Sequence, residues 1–349
     1  MNDGFDEELI AILGMPDSGL YYPSGLTPRR GLRRLLPNHF LDLSAWKSIR
    51  HWPGNLGLKV DNNVGEAVRG IIQIIKNNLY AVANNHFVHL SLTAGRDSRM
   101  LLACAREILD KINFFTFVND KQTVDSHLAG ILAKKFNLKH RFLRSEYASE
   151  TEKEDWLYRI GHCVSGRIWL IHPTLRHLDR NRALLPGMAG EVGRAHPLRR
   201  GRAVSISHLD ATKILNGLRL PACGKILKTT EEWFSEISDF PRALILDLAY
   251  IEQRLGCWAG PQMYGNDHRT VCHLWPLLHR KIFESMLKLP FEYRQEGQLS
   301  EDILALEWPQ LLNYPFNDFS GPLKYVKGAG RYTRSIKKIA LKKLKGIFS

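Results

Sequence analysis

The sequence predicts an α/β protein in which a parallel sheet carries helices on both faces and is followed by a mainly helical C-terminal part. Between residues 64 and 143, apolar runs typical of strands alternate with segments whose apolar residues recur at helical spacing. One of these runs ends in a small-residue turn that leads directly into a helix-forming segment. Beyond residue 200 the spacing is mainly helical. Strands that alternate with helices pair in parallel through right-handed crossovers.

Each predicted element follows from local composition or spacing. Residues 1–60 are rich in Gly and Pro and indicate hairpins and loops. The alternating part contains helix 64–79, a strand from Val88 to Leu92, helix 98–110, strand 112–118, helix 123–137 and strand 141–143. The later predictions are a helical stretch at 151–182, a short apolar run at 183–186, helices at 229–236, 241–256, 278–288 and 300–312, and a basic amphipathic helix at 331–348.

Length and composition indicate a folded, soluble chain. With 349 residues, of which 44% are hydrophobic, the protein can bury one large core or two modest ones. No stretch approaches the roughly 18 uninterrupted apolar residues that a membrane span requires, and the first residues are acidic, unlike a secretory signal. The 5 cysteines are scattered and never occur as C-x-x-C, which favours a reducing, cytoplasmic environment over a disulfide framework or zinc ribbon.

The formal net charge of +14 indicates an anionic partner. Much of this charge lies in an arginine-rich stretch at 194–202, which contains Arg199, Arg200 and Arg202. Another large part lies in a tail from Lys324 onward that contains no acid. Nucleic acid, anionic lipid, ATP phosphates or an acidic saccharide intermediate would all suit such charge. The tail predicts an anionic surface contact or peripheral membrane association, with packing on its own domain as the alternative.

Residues 93–98, Thr-Ala-Gly-Arg-Asp-Ser, are the first candidate site. Small residues allow backbone N–H groups to approach an anion, and a helix start behind them adds a favourable dipole. The segment is not a Walker A loop, because no Lys-Ser or Lys-Thr follows its glycine. It resembles the Ser-Gly-Gly-x-Asp-Ser loop of the PP-loop ATP pyrophosphatases, which holds the β,γ-phosphates that leave as pyrophosphate. The alternative is an ordinary strand–turn–helix with a capping Ser or Asp.

Further blocks resemble the synthetase domain of asparagine synthetases, in the order of that family. They are GLTPRRGLRRLLPNHFLDLSAWKSIRHW at 25–52, INFFTFV at 112–118, Asp125-Ser126 with Ala129, Ala133 and His140, His172-Pro173, GMAGEVGR at 187–194, and CHLWPLLHRKIFESMLKLPFEYR at 272–294. The resemblance implies a remnant of the glutaminase–synthetase junction at 1–60, a PP-loop domain of the adenine nucleotide α-hydrolase type at 61–323, and the basic tail at 324–349.

The chain departs from that family at several positions. It has Asn2 where the glutaminase domain has its nucleophilic Cys, and too few residues precede the loop to build that domain. In the second loop Glu191 takes the family's Asp position, while Met188 and Val192 replace its two Glu positions. His279 replaces the Asp of Pro-Phe-Leu-Asp. No clear Arg-x-Lys-x-Gly-Phe segment is present, and Lys324 and Lys327 are only loose candidates for its lysine.

The resemblance implies roles for individual residues. Asp97 and Glu191 would be the catalytic carboxylates and the ligands of Mg²⁺, with Glu191 alternatively a general base. The implied nucleotide-binding residues are Leu92, Thr93, Ala94, Gly95, Asp97, Ser98, Phe117, Gly187 and Gly190. Arg96 and Arg99 would add positive charge. The alternatives are a helix cap for Asp97, a solvated carboxylate for Glu191, and packed or surface positions for His140 and His172.

The implied activity is an ATP-dependent ligase that adenylates a carboxylate, releases pyrophosphate and transfers the acyl group to ammonia or an amine. Its cofactors would be ATP and Mg²⁺. Its partners would be a small-molecule or peptide carboxylate and an amine source, including a separate amidotransferase, since the chain lacks its own glutaminase. Two alternatives remain: an RNA-modifying PP-loop enzyme, favoured by the charge, and a catalytically weakened nucleotide-binding protein, favoured by Ala94, Met188 and Val192. We do not expect nucleic acid to be the main partner.

Overall fold

A five-stranded parallel sheet organises the molecule. The computed structural model describes residues 4–54, 58–119, 123–166, 172–179, 182–195, 208–265 and 271–317. Strands β3 (Val88–Ser91), β4 (Ile112–Val118), β5 (His140–Arg144), β6 (Arg182–Leu185) and β7 (Val271–His273) pair in the order β5-β4-β3-β6-β7. All four pairings are parallel, with Val88 opposite both Ile112 and Ala183. The predicted α/β fold with a parallel sheet is therefore confirmed.

The chain before the sheet forms short elements. They are helix α1 (Glu7–Leu13) and an antiparallel hairpin of β1 (His39–Asp42) and β2 (Lys47–Arg50). Leu9, Leu13 and Tyr22 are buried in a cluster that also contains Trp156 and Ile226 from later parts of the chain. These N-terminal residues therefore share a core with later segments.

The first half of the sheet follows the predicted alternation. Helix α2 (Val64–Asn85) precedes β3, α3 (Arg96–Cys104) connects β3 to β4, and α4 (Val124–Lys135) connects β4 to β5. Their amphipathic spacing is the reason that they form helices, since α2 buries Val68, Ile71 and Ile75 on one side. The predicted helix 98–110 is divided, because a 3₁₀ helix at Arg106–Lys111 follows α3.

The two faces of the sheet bury different clusters, as strand periodicity requires. Leu90 and Phe114 belong to the main core with residues of α2 and α3, whereas Phe115 and Leu184 pack with Leu178 on the other face. Leu178 directly follows the 3₁₀ helix at His172–His177. Helical segments therefore flank the sheet.

The predicted helical stretch at 151–182 is wrong over much of its described length. Helix α5 spans only Glu150–Arg159, and the chain then turns because Gly161 and His162 have φ values of +61° and +55°. A left-handed backbone ends a right-handed helix, and glycine adopts it without steric cost. Residues 167–171 and 180–181 of the predicted stretch lie outside the described residues.

The C-terminal part is mainly helical, as predicted. Its helices are α6 (Ala211–Leu218), α7 (Gly224–Ser235), α8 (Arg242–Leu248), a π-helix (Ala249–Ala259), α9 (Gly260–Gly265), α10 (Arg280–Lys288), α11 (Phe291–Glu296), α12 (Gln298–Glu307) and a 3₁₀ helix (Pro309–Asn313). Within the described ranges, no helix has the length and apolar character needed to cross a bilayer. Arg199, Arg200, Arg202, Lys324, Lys327 and the predicted tail helix lie outside these ranges.

Candidate functional site

The candidate loop follows the central strand of the sheet. Strand β3 ends at Ser91, and α3 starts at Arg96 with Gly95 as its N-cap. Because β4 lies on one side of β3 and β6 on the other, the connections diverge at this point. Ligands of open α/β sheets bind at such a switch point, beyond the carboxyl ends of the strands. The loop is therefore placed where the fold favours a ligand, and Asp97 is in the first turn of α3 instead of capping it.

The loop is held by its own hydroxyl groups. The Thr93 N–H donates to Ser98 Oγ at 3.2 Å, and the Gly95 N–H donates to Thr93 Oγ1 at 3.1 Å. The two hydroxyl oxygens lie 2.8 Å apart. Leu92, fully buried, donates its N–H to the carbonyl oxygen of Phe115 at 2.8 Å. These bonds fix the turn that the sequence predicted to bind pyrophosphate.

One of the backbone N–H groups predicted to bind pyrophosphate already donates a hydrogen bond to a carboxylate. The Ala94 N–H donates to Oδ1 of Asp125 at 2.8 Å, and Asp125 lies in the exposed first turn of α4. A charged acceptor on a backbone N–H is the arrangement that a phosphate oxygen would also make. The donor therefore points to a place that accepts an anion, and a phosphate there must displace Asp125.

The second predicted loop packs directly on the first turn of α3. A Cβ on Gly187 would lie 2.7 Å from the Ser98 nitrogen, and a Cβ on Gly190 would lie 2.5 Å from Asp97 Oδ1. Between them Ala189 has a φ of +78°, a conformation that disfavours side chains. Only glycine permits such close approach at 187 and 190. The structure thus brings together Asp97, Ser98 and these two glycines, as the sequence predicted.

Asp97 and Glu191 meet across this contact and share a cation. Arg194 Nη1 lies 2.9 Å from Asp97 Oδ1, and Arg194 Nη2 lies 3.5 Å from Glu191 Oε1. The side chains of Asp97 and Arg194 are only 8% and 13% exposed. The site therefore contains two carboxylates and a guanidinium group in a largely water-free position, where electrostatic interactions are strong.

Burial changes the ionisation of the groups here. It raises the pKa of Asp97 to about 7, with Arg194 opposing the rise and Glu191 adding to it. Burial also raises the pKa of Tyr250 well above its usual range, and the negative charges of Glu191 and Asp97 contribute. Tyr250 is thus close enough to sense both carboxylates.

The donor set suits a cation. Oε2 of Glu191 is buried and accepts no hydrogen bond from the residues that the structure describes. Carboxylate oxygens are the ligands that Mg²⁺ prefers. Within the same residues, no group of three or more His, Cys, Asp and Glu is placed to hold a metal. Two carboxylates therefore remain the candidate ligands, and Arg194 already neutralises part of their charge.

A buried ion pair holds the second loop from behind. Arg294 Nη1 lies 2.9 Å from Asp247 Oδ2 and donates to the carbonyl oxygen of Val192 at 3.3 Å. Burial raises the pKa of Asp247 to about 6 although Arg294 lowers it. Val192 itself is buried in the main core. Val192 is therefore a packing residue, and Met188 is half-buried against the same core.

Arg96 and Arg99 bind the C-terminal segment. The fully buried Arg99 donates to the carbonyl oxygens of Ala94, Tyr314 and Pro315 at 2.8–2.9 Å. Burial lowers the pKa of Arg99 to about 9, with a smaller contribution from Arg96. Arg96 pairs with Glu301 at 2.9 Å on α12. Both guanidinium groups stack on Phe316, at 4.0 and 3.7 Å from the ring centre. Their observed role is to fasten the loop to residues 297–316.

The other predicted residues lie at the edges of this region. Phe117, half-buried near the carboxyl end of β4, packs edge-on against Phe115 with ring centres 5.3 Å apart. His140 lies 2.9 Å from Thr116 Oγ1, and burial lowers its pKa. His172 stacks on Trp156 with ring centres 6.2 Å apart. The two histidines therefore occupy packed positions, and neither forms part of the carboxylate pair.

Sequence reasoning missed three residues of the site. In the sequence, Arg194 was marked only as part of a basic stretch. Its position three residues after Glu191, which puts the two side chains on one side of a helical turn, was the signal that could have identified it. Asp125 was a matched block residue without a role, and Tyr250 was unmarked within a predicted helix. No local signal identifies Asp125 and Tyr250, because their partners lie far away in sequence.

Comparisons with known proteins find structural similarities at low sequence identity. No protein-family model matches the chain, and no curated protein matches it. Among solved structures, it is similar to the U34-tRNA thiolase NcsA from Methanococcus maripaludis with its 4Fe-4S cluster, at 12% identity over 87% of this chain and 86% of that one, with a TM-score of 0.28. It is also similar to an NH3-dependent NAD synthetase from Campylobacter jejuni with bound nitrate, at 15% identity over 53% of this chain and 92% of that one, with a TM-score of 0.24. At these scores neither similarity supports a function for this chain.

Proposed function

We propose that this protein is an ATP-dependent, AMP- and pyrophosphate-forming amide ligase of the PP-loop type, similar to the synthetase part of asparagine synthetases. One observation carries the proposal. The loop at the switch point of the sheet and the loop at 187–194 meet through Asp97, Gly190 and Glu191, although 94 residues separate the two carboxylates. These are two of the segments that carried the resemblance, and their convergence supports a single site.

The reaction requires the triphosphate to be neutralised and the carboxylate to be aligned with the α-phosphorus. The N-terminal turn of α3, with the N–H groups of Ala94 and Gly95 and the hydroxyl of Ser98, would bind the departing pyrophosphate. Asp97 and Glu191 would hold Mg²⁺, which neutralises phosphate charge when it is bound. Arg194 would add positive charge beside them. Leu92 and Phe117 would contact the nucleotide from the adjoining strands.

The second half of the reaction needs an amine. Glu191 is the carboxylate that would accept a proton from an incoming ammonia or amine. We propose that the amine comes from solution or from a separate amidotransferase. The basic tail, with nine Lys and Arg from Lys324 onward, would contact an anionic surface or a membrane.

A second candidate is an RNA-modifying enzyme with the same adenylation chemistry. The net charge of +14 favours it, because phosphate contacts dominate binding to nucleic acid. Filter binding of tRNA at several salt concentrations separates the two proposals. A steep loss of tight binding with added salt would support the RNA-modifying enzyme, and weak binding at all salt concentrations would support the amide ligase.

Carboxylate-dependent exchange of labelled pyrophosphate into ATP tests the main proposal. The wild-type protein should exchange pyrophosphate with at least one member of a carboxylate panel, and Asp97→Asn should reduce the rate by at least about 100-fold. Asp110→Asn, which changes an exposed aspartate outside the site, is the matched control and should keep full activity. Unchanged exchange by Asp97→Asn would remove this carboxylate from the mechanism. Binding of ATP without exchange across the panel would favour the catalytically weakened protein.

A further inference from the structure

The structure contains a large cavity outside the candidate site. Its volume is about 820 Å³, within the range of small-molecule pockets. Segments far apart in sequence form it: the chain at 34–38 and 51–52, the turn after α5, the π-helix, and the chain from Trp275 to Phe283. Trp275 follows the carboxyl end of β7. Because the strands are parallel, the cavity reaches the same end of the sheet as the candidate loop that follows β3.

The cavity is chiefly apolar. Its wall contains the side chains of Trp52, Ile251, Leu255, Trp275, Leu278 and Phe283. Three lining residues with apolar surface are exposed: Leu35 at 51%, Tyr264 at 65% and Leu278 at 46%. Apolar groups exposed together around a concave surface indicate a binding site.

The charged residues that line the cavity are all arginines and carry positive charge. Arg34, Arg159 and Arg280 line the cavity, and among the residues that the structure describes its lining contains neither Asp nor Glu. Arg159 and Arg280 are each neutralised from outside the cavity by an acid on the same helix, at 2.7 and 3.0 Å. Arg34 is different. Its guanidinium donates to the carbonyl oxygens of Tyr22, Leu26 and Cys257, and within the described residues it forms no ion pair.

The π-helix is a wall shared by the cavity and the candidate site. Tyr250 near its start senses the charges of Asp97 and Glu191, whereas the next residue, Ile251, lines the cavity with Leu255 and Gly256. π-helices are rare and are frequent at functional sites. The π-helix therefore forms part of the cavity wall and, at Tyr250, lies near the carboxylate pair.

We infer that this cavity binds the apolar body of the carboxylate substrate, so that the substrate class is a hydrophobic carboxylate with an acyl or aryl body. The inference rests on the proposed ligase function, in which the carboxylate of the bound substrate is adenylated. The apolar wall selects the body, and the uncompensated charge of Arg34 favours an anion over a neutral molecule of the same shape. The basic tail of the chain is a poor occupant of the cavity, because the arginines of the wall would repel its lysines.

Calorimetric titration of the full-length protein without ATP tests the binding site directly. The probes are butanoate, hexanoate and octanoate, each below its micelle concentration, with octanol as the neutral control. Affinity should rise by about fourfold for each added methylene group, and octanoate should bind at least about tenfold more tightly than octanol. Equal binding of butanoate and octanoate, or of octanol and octanoate, would overturn the inference.

Substitutions at Leu278 locate the site. Because Leu278 is exposed, Leu278→Asp should fold, and its negative charge should weaken octanoate binding by at least about tenfold. Leu278→Asn should weaken it less. Leu306→Asp changes a leucine that is 55% exposed and lies outside the cavity, and it should leave binding unchanged. Equal loss in Leu306→Asp and Leu278→Asp would contradict the assignment. A dimer in sedimentation velocity that Leu278→Asp converts to monomer, without octanoate binding, would assign the cavity to a second copy instead.

Pyrophosphate exchange separates failure of this inference from failure of the proposed function. Exchange with a small polar carboxylate, together with no octanoate binding, would leave the ligase in place and overturn the substrate class. Octanoate binding that is lost in Leu278→Asp, together with no pyrophosphate exchange on any carboxylate, would overturn the proposed ligase function. The cavity would then stand as an apolar site that selects anions.

Discussion

Arg194 Nη1 lies 2.9 Å from Oδ1 of Asp97 and thereby joins the two loops of the candidate site. The same guanidinium also faces Glu191 at 3.5 Å. A cation of the protein thus stands beside two carboxylates that are candidate ligands of a metal ion. Any divalent ion that binds here must share this negative charge with Arg194 or move the guanidinium aside.

Arg194→Ala should therefore destabilise the metal-free protein and strengthen its response to metal. Removing one partner of a largely buried ion pair leaves uncompensated charge, and we expect a loss of about 3 kcal/mol. Added Mg²⁺ should raise the melting temperature of the variant more than that of the wild type, because the ion replaces the lost charge. Thermal unfolding with and without Mg²⁺ measures both effects. Lys134→Ala, at an exposed cation of α4, is the control. Equal metal responses in all three proteins would contradict the prediction.

Asp125→Asn should tighten metal-free binding of pyrophosphate. The wild-type carboxylate accepts the Ala94 N–H at 2.8 Å, so it competes with a phosphate oxygen and repels it. Two like charges about 4 Å apart in water interact with roughly 1 kcal/mol, which corresponds to about fivefold in affinity. Isothermal titration in the presence of a chelator measures the change, with Asp110→Asn as the matched control. Weaker binding in Asp125→Asn would show that this carboxylate helps to hold the ligand.

Gly190→Ala should damage the site through sterics alone. The new methyl group would lie 2.5 Å from Asp97 Oδ1, so either the second loop or the first turn of α3 must move. Overpacking of this kind costs about 1–3 kcal/mol. Gly70→Ala is a contrasting control, because this exposed glycine of α2 has no heavy atom within 4 Å of its added methyl group, and alanine should stabilise the helix by about 0.5–1 kcal/mol. Denaturant unfolding of both variants shows whether each substitution lowers or raises the free energy of unfolding. A stabilised Gly190→Ala protein would refute the packing argument.

Asp247→Asn should remove part of the pH dependence of stability. The pKa of Asp247 is raised from 3.8 to about 6 in the folded protein, so its contribution is fully present below about pH 4 and is lost as the pH rises through 6. The difference in unfolding free energy between wild type and variant should therefore shrink between pH 4 and 6 and then stay level.

Chemical denaturation at several pH values measures this difference. Asp210→Asn, which changes an exposed aspartate at a helix N-cap to another capping residue, provides a comparison without burial. A difference that grows from pH 4 to 6 would mean that Arg294 dominates and lowers the pKa of Asp247.

Local sequence was enough to predict the sheet and the position of the loop. The strands and helices between 64 and 144 have strong periodicity, and their alternation allows few arrangements other than a parallel sheet. A parallel sheet then places the residues after β3 at its carboxyl edge, so the position of Thr93–Ser98 followed from the sequence. The boundary errors at 98–110 and 151–182 arose where a 3₁₀ turn or a left-handed residue ended a helix, which apolar spacing does not register.

Packing in three dimensions determines which groups meet. Ala94 and Asp125 are 31 residues apart, and Arg99 and Tyr314 are 215 residues apart, and no local pattern specifies either contact. The sequence presented Arg96 and Arg99 as possible phosphate partners, yet packing turned them toward the C-terminal segment. It presented Arg194 only as part of a basic stretch, yet packing brought it to Asp97. A side chain's preference for helix or strand depends on its neighbours along the chain, whereas its electrostatic partner depends on how distant segments pack.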